Sequence, residues 1–183
     1  MAIRLMGPIV GRIILVLQDY LPAELDLIDA YEAANGGISL TTPDILYWND
    51  WDRMLIPEYP AFSARTVSSL PIDVKPDTFG QRITASHRID LMFHATMQNV
   101  QGSNPRDLQA ILHRYIAGAA RVLCVMKERL QTVSDPTEWG SPGSRTVCRW
   151  QDEATYGPET EQEGGAIVRT ATLPVRVERA EVR

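Results

Sequence analysis

Apolar residues at Ile9, Val10, Ile13, Ile14, Val16, Leu17 and Leu21 recur at steps of three and four, the spacing of one face of a helix. Pro22 interrupts that run, because a proline inside a helix removes a backbone donor and crowds the preceding turn. Leu25, Leu27, Ile28 and Tyr31 then resume the spacing. The pattern predicts a helix, a break near Leu21 and Pro22, and a second helical piece stopped by Asn35, Gly36 and Gly37, residues that tolerate positive φ. Ser63 to Ile72 reads as a short strand ending at Pro71. In Arg82 to Met97, Ile83, Ala85, His87, Ile89, Leu91, Phe93 and Ala95 share one parity, the alternation of a strand with one buried face. At about 3.3 Å per residue such a strand reaches roughly 50 Å, more than a compact domain of this size needs. Pairing or packing with another subunit is the simplest use for the excess; the alternative is a bulge or bend that shortens the strand.

The next element is a helix over 104–131. Asn104 suits the N-cap, Pro105 the first helical position and Asp107 the first turn. Leu108, Ile111, Leu112, Tyr115, Ala119, Val122, Leu123, Met126 and Leu130 keep an apolar stripe, and Lys127 and Arg129 sit in the last turn. After a turn-rich stretch come two strands, Arg145 to Tyr156 and Ala166 to Glu178, joined by a polar hairpin tip over 157–165. The order of elements predicts a single α+β domain over 1–183. Its sheet is mixed and mostly antiparallel, with helices packed on one face and long β-hairpin extensions.

Between the first helix and the first strand, residues 38–62 hold Pro43, Pro57 and Pro60 among Tyr47, Trp48, Trp51, Tyr59 and Phe62. The prolines exclude one long helix, and the rings are too many for a solvated loop. Either the segment is a loop covering its rings on the domain, or Tyr47, Trp48, Trp51 and Tyr59 form a partner-binding arm.

Composition narrows the function more than the fold. The 183 residues carry 18 Lys+Arg against 23 Asp+Glu, a formal net charge of -5, with only Lys75 and Lys127 as lysines and no basic cluster of the kind that neutralises phosphates. Cys124 and Cys148 cannot make the disulfide framework of a small secreted domain; one bridge between them is the alternative, and two reduced, partly buried thiols are the expectation. Arg12 and Asp19 disqualify the N-terminal run as a signal peptide, and no stretch has the roughly 20 apolar residues of a spanning helix, so no membrane partner is expected.

The sequence offers little chemistry. His87 and His94 differ by an odd number and point to opposite faces of a regular strand, so they cannot share a metal. His113 has no ligand type one turn on, at Ala117. Neither cysteine sits in a CxxC, no GxSxG elbow carries a serine, and neither GxxxxGK[ST] nor GxGxxG occurs. No enzyme activity, metal or cofactor is expected. Negative charge gathers near the last hairpin, at Asp152, Glu153, Glu159, Glu161 and Glu163, without the spacing of a calcium loop. In a ring of subunits these five would line a pore and repel the phosphates of a passing duplex.

An N-terminal helix, an alternating strand HRIDLMFHATM, a helix NPRDLQAILHRYIAGAARVL and two closing strands resemble the tail terminator (tail completion) proteins of long-tailed bacteriophages. The most telling piece is the passage from strand to helix, with Leu108 and Leu112 ahead of Arg114, Tyr115 and Ala119. The resemblance spans roughly 5–178 in element order and about 85–125 in residues. It implies a virion protein of the tail-neck region, assembled in the host cytoplasm. Such a protein forms a homo-oligomeric ring, commonly a hexamer, that caps the tail tube protein, stops its polymerisation and meets the head-tail connector. DNA would be met only in passage through the lumen. A head completion or neck adaptor protein would fit the same pattern. From another class, a small hydrolase would need a pocket joining His94 and Asp90, the in-strand pair on one face, with Arg88 or His113.

Overall fold

A computed structural model describes residues 7–49, 56–77, 80–99, 105–125, 145–150, 153–158, 160–161 and 167–182. Helix α1 spans Gly7–Ala34 without a break. The expected interruption at Pro22 does not occur, and the physical reason lies in the stripe. Ile9, Ile13, Leu17, Leu21 and Leu25 are all buried and four residues apart, so burial on both sides of the proline keeps the helix continuous through it. Pro22 is itself exposed, as is Gln18, the residue whose carbonyl a proline at 22 deprives of its helical donor. Leu27 and Tyr31 lie off the stripe and are exposed. The stop falls as expected, with Gly36 at φ 75° and Gly37 donating its N–H to the Glu32 carbonyl.

Among the described residues, a seven-stranded sheet carries the rest. Strands β1 (Tyr47–Asn49), β2 (Ala61–Asp77), β3 (Gly80–Thr96), β4 (Arg145–Trp150), β5 (Thr155–Tyr156), β6 (Thr160–Glu161) and β7 (Ile167–Val182) follow in chain order. In space the order is β1-β2-β3-β7-β4, with β5 and β6 also paired to β7. Among the described strands only the β1–β2 pair is parallel. The architecture is the expected α+β, a mixed and mostly antiparallel sheet with helices packed against it.

Strand lengths depart from the sequence reading in instructive ways. β2 does not end at Pro71 but runs to Asp77. Its register against β3 shifts between Thr66 and Ser68 and again between Leu70 and Asp73, and Pro71 falls inside the second shift, where a missing N–H costs no ladder bond. The strand expected over 145–156 is broken into β4 and β5, while β7 outlasts its expected end at Glu178. Pro174 in β7 falls opposite the interruption between β4 and β5, where a residue without an N–H disturbs the sheet least.

Helix α2 spans Pro105–Ala120 and passes into a π-turn over Arg121–Val125, so the α-helix expected over 104–131 gives way after Ala120. The wider turn keeps both Val122 and Leu123 in the core. Asn104, Met126, Lys127, Arg129 and Leu130 lie outside the described residues. One continuous core joins the α1 stripe, the α2 stripe, Phe62 and Ala64 of β2, Ile89, Leu91, Phe93 and Ala95 of β3, and Ala171, Leu173, Val175 and Val177 of β7. The helices cross closely at Gly118, where an added Cβ would meet Leu21 Cδ1 at 2.8 Å. Arg121 of the π-turn pairs with the buried Glu24 of α1 at 3.1 Å.

Candidate functional site

The aromatic segment is held from inside by Arg114. This side chain is 1% exposed, and its guanidinium donates to Asp29 Oδ1 at 2.7 Å, to Glu32 Oε2, and to the carbonyls of Ile38 and Leu40 at 2.6 and 2.7 Å. Thr42 closes the cluster by donating its N–H and hydroxyl to Asp29 at 2.6 and 2.7 Å. The next residue, Tyr115, donates its hydroxyl to the Pro43 carbonyl. Burial, then the charges of Asp44 and Asp29, push that phenol well above its ordinary pKa, so it remains a donor. Two adjacent residues of α2 therefore pin 38–43 and aim the chain into β1.

From β1 a column of rings crosses the domain. Trp48 lies 5.2 Å from Phe62, Phe62 lies 5.2 Å from Phe93, and Phe93 stacks on Tyr115 at 5.7 Å. Of the rings expected to bind a partner, Tyr47, Trp48 and Tyr59 are half-buried and Trp51 lies outside the described residues. Trp48 is partly buried and packs against the core, and Tyr47–Asn49 form a strand at one end of the sheet. The signal for Arg114 was present in the sequence: a charged residue three positions after Ile111 and four before Gly118, on the apolar side of a helix.

On the other face of β3, His94 and Asp90 do not meet in one pocket. His94 Nε2 is 2.8 Å from the Ser63 hydroxyl and Nδ1 is 2.9 Å from the Thr170 hydroxyl, a polar seam across three strands. Asp90 instead faces Arg65 at 3.3 Å and Arg88 at 3.9 Å. His87 shares the parity of Ile89 and Leu91, opposite to His94, and its burial lowers its pKa. His113 is elsewhere again, on α2.

His113 does line a groove of about 470 Å³, with Ile116, Ala120, Trp150, Tyr156 and Leu173 among its walls. Its ring stacks on Tyr156 at 4.4 Å, and Nδ1 lies 2.9 Å from the Tyr156 hydroxyl. Arg169 donates to Gln109 Oε1 at 3.2 Å, and the Gln109 amide stands 3.4 Å from His113 Nε2. This order of contacts assigns the His113 proton to Nδ1, donated to the tyrosine oxygen. Burial raises the Tyr156 pKa and keeps it neutral. The groove has apolar walls and a rim that includes the exposed Trp150 and Glu153, and among the described residues no group of His, Cys, Asp and Glu could hold a metal ion.

Of the five acidic residues expected to line a pore, Glu153 is exposed beside this groove and Glu161 pairs with Ile167 in the β6–β7 ladder. Asp152, Glu159 and Glu163 lie outside the described residues. No protein-family model and no curated protein sequence matches the chain.

Proposed function

We propose that the chain is a structural virion protein of a long-tailed bacteriophage. Its subunits associate through the long sheet into a ring that caps the tail tube, stops its polymerisation and joins the tail to the head connector. The observation that carries this reading is the length of the sheet against its cover. β2 and β3 each have 17 residues and β7 has 16. At about 3.3 Å per residue the two longest reach roughly 55 Å. The 28 residues of α1 and the 16 of α2 reach only about 42 and 24 Å at 1.5 Å per residue. A ribbon that outruns its own helices has surface to give to a neighbour.

The rim of the ribbon supports the same reading. β1 pairs with β2 only over Ala61–Ser63, and beyond Ser63 no other described strand pairs with that edge of β2. Arg65, Val67 and Ser68 are exposed there, Val67 by 46%. An unpaired edge of this length is a template for another chain, and two register shifts interrupt it, which limits how far such pairing runs. The phage resemblance then supplies the kind of assembly. Deleting the gene from its phage tests the reading: tails of irregular, extended length that fail to join heads are expected, and tails of uniform length would overturn it.

A further inference from the structure

The only two cysteines of the chain stand 24 positions apart in sequence, and the fold brings them face to face. Cys124 belongs to the π-turn after α2, and Cys148 lies within β4, paired in register with Val177 of β7. Their sulfurs are 3.9 Å apart, with the Cys124 thiol directed at Cys148 Sγ, and they are not joined by a disulfide. A disulfide bond is about 2.05 Å long, so closure asks for a movement of roughly 2 Å. The π-turn and β4 are in direct contact, which makes that movement local.

The two thiols differ in a way that orders the chemistry. Cys148 is 1% exposed and part of the core, whereas Cys124 is half-buried. The neighbouring Cys124 thiol and burial both push the Cys148 thiol up, so Cys124 is the sulfur that an outside oxidant reaches first. We infer that Cys124 and Cys148 form an oxidation site at which a peroxide converts the dithiol into an intramolecular disulfide. The Cys124 sulfur attacks one peroxide oxygen, the O–O bond breaks, and water leaves with the thiol proton, giving a sulfenic acid. The Cys148 sulfur then attacks Cys124 Sγ, the S–O bond breaks, and the departing hydroxide takes the Cys148 proton as a second water. In sum two thiols and one hydrogen peroxide give one disulfide and two waters.

The product ties the turn after α2 to β4 and closes the chain between them into a loop. In a reducing cytosol the pair remains open, and it closes once the protein stands in an oxidising medium. This inference is independent of the proposed ring.

The test uses the full chain, dilute and reduced, exposed to a small molar excess of hydrogen peroxide and then alkylated. A mass lower by two hydrogens, both thiols lost to alkylation, a crosslinked peptide pair containing Cys124 and Cys148, and reversal by dithiothreitol are expected. The oxidised chain should also melt at a higher temperature than the reduced one. Cys148→Ser should stop at oxygen addition on Cys124, and Cys124→Ser, altered at the more exposed position, should take up no oxidant equivalent under the same conditions. Wild-type chain in which Cys124 gains oxygen or links to a second chain while Cys148 still alkylates after unfolding would overturn the inference.

Discussion

Removing the Arg114 guanidinium would leave the carbonyls of Ile38 and Leu40 and the carboxylates of Asp29 and Glu32 without their shared donor. Breaking a buried ion pair from one side costs about 3–5 kcal/mol, and the partial exposure of Glu32, 36%, lets water recover some of that. Arg114→Ala is therefore expected to lose about 3 kcal/mol in urea unfolding. Arg114→Lys should recover only part, because an ammonium cannot reach two carboxylates and two carbonyls as a planar fork does. A loss below 1 kcal/mol for Arg114→Ala would show that 38–43 is held by something else. His87 gives a pH dependence. Burial lowers its folded pKa below the ordinary 6.5, so just below that pH the unfolded chain binds more protons and stability falls as the medium is acidified. His87→Gln should flatten the decline in unfolding midpoint between about pH 7 and pH 5. An unchanged slope would contradict this. At this scale the sequence was partly readable: parity separated His87 from His94, but nothing local assigns Ser63 and Thr170 to His94, since those partners come from strands far away in the chain.

Helix α1 carries a proline through its middle because its buried stripe continues on both sides. Pro22 still costs a backbone bond, so Pro22→Ala is expected to raise stability by about 1–3 kcal/mol, measured by urea unfolding. A destabilisation would mean that the proline shapes the helix in a way its exposure does not suggest. The α1–α2 crossing behaves oppositely. Gly118→Val would force a branched side chain onto Leu21 and Leu25, and a loss of about 1–3 kcal/mol is expected. Elements were legible where one periodicity ruled: α1 from its steps of four, β3 from its alternation, α2 from its stripe. They were misread where proline was weighed by local preference alone. Local preference puts a helix break at Pro22 and a strand end at Pro71; the first is overridden by burial and the second is absorbed by a bulge. The π-turn over Arg121–Val125 left no periodic mark, since its residues continue the apolar stripe.

At the scale of the whole molecule, the account rests on a sheet that is longer than its helical cover. Exposed Val67 marks the β2 edge at a point where the register against β3 shifts, so a charge placed there disturbs no paired position. Val67→Glu is expected to leave the monomer's melting temperature nearly unchanged while weakening self-association, because a charge on an exposed strand edge opposes edge pairing. The most direct measurement is the solution mass of the full 20.5 kDa chain, alone over a range of concentrations and with the tail tube protein that the proposal names as its partner. A closed multiple of the subunit mass, seen as rings by electron microscopy and lost in Val67→Glu, is predicted. A chain that remains a 20.5 kDa monomer at high concentration and with the tube protein present would contradict the account.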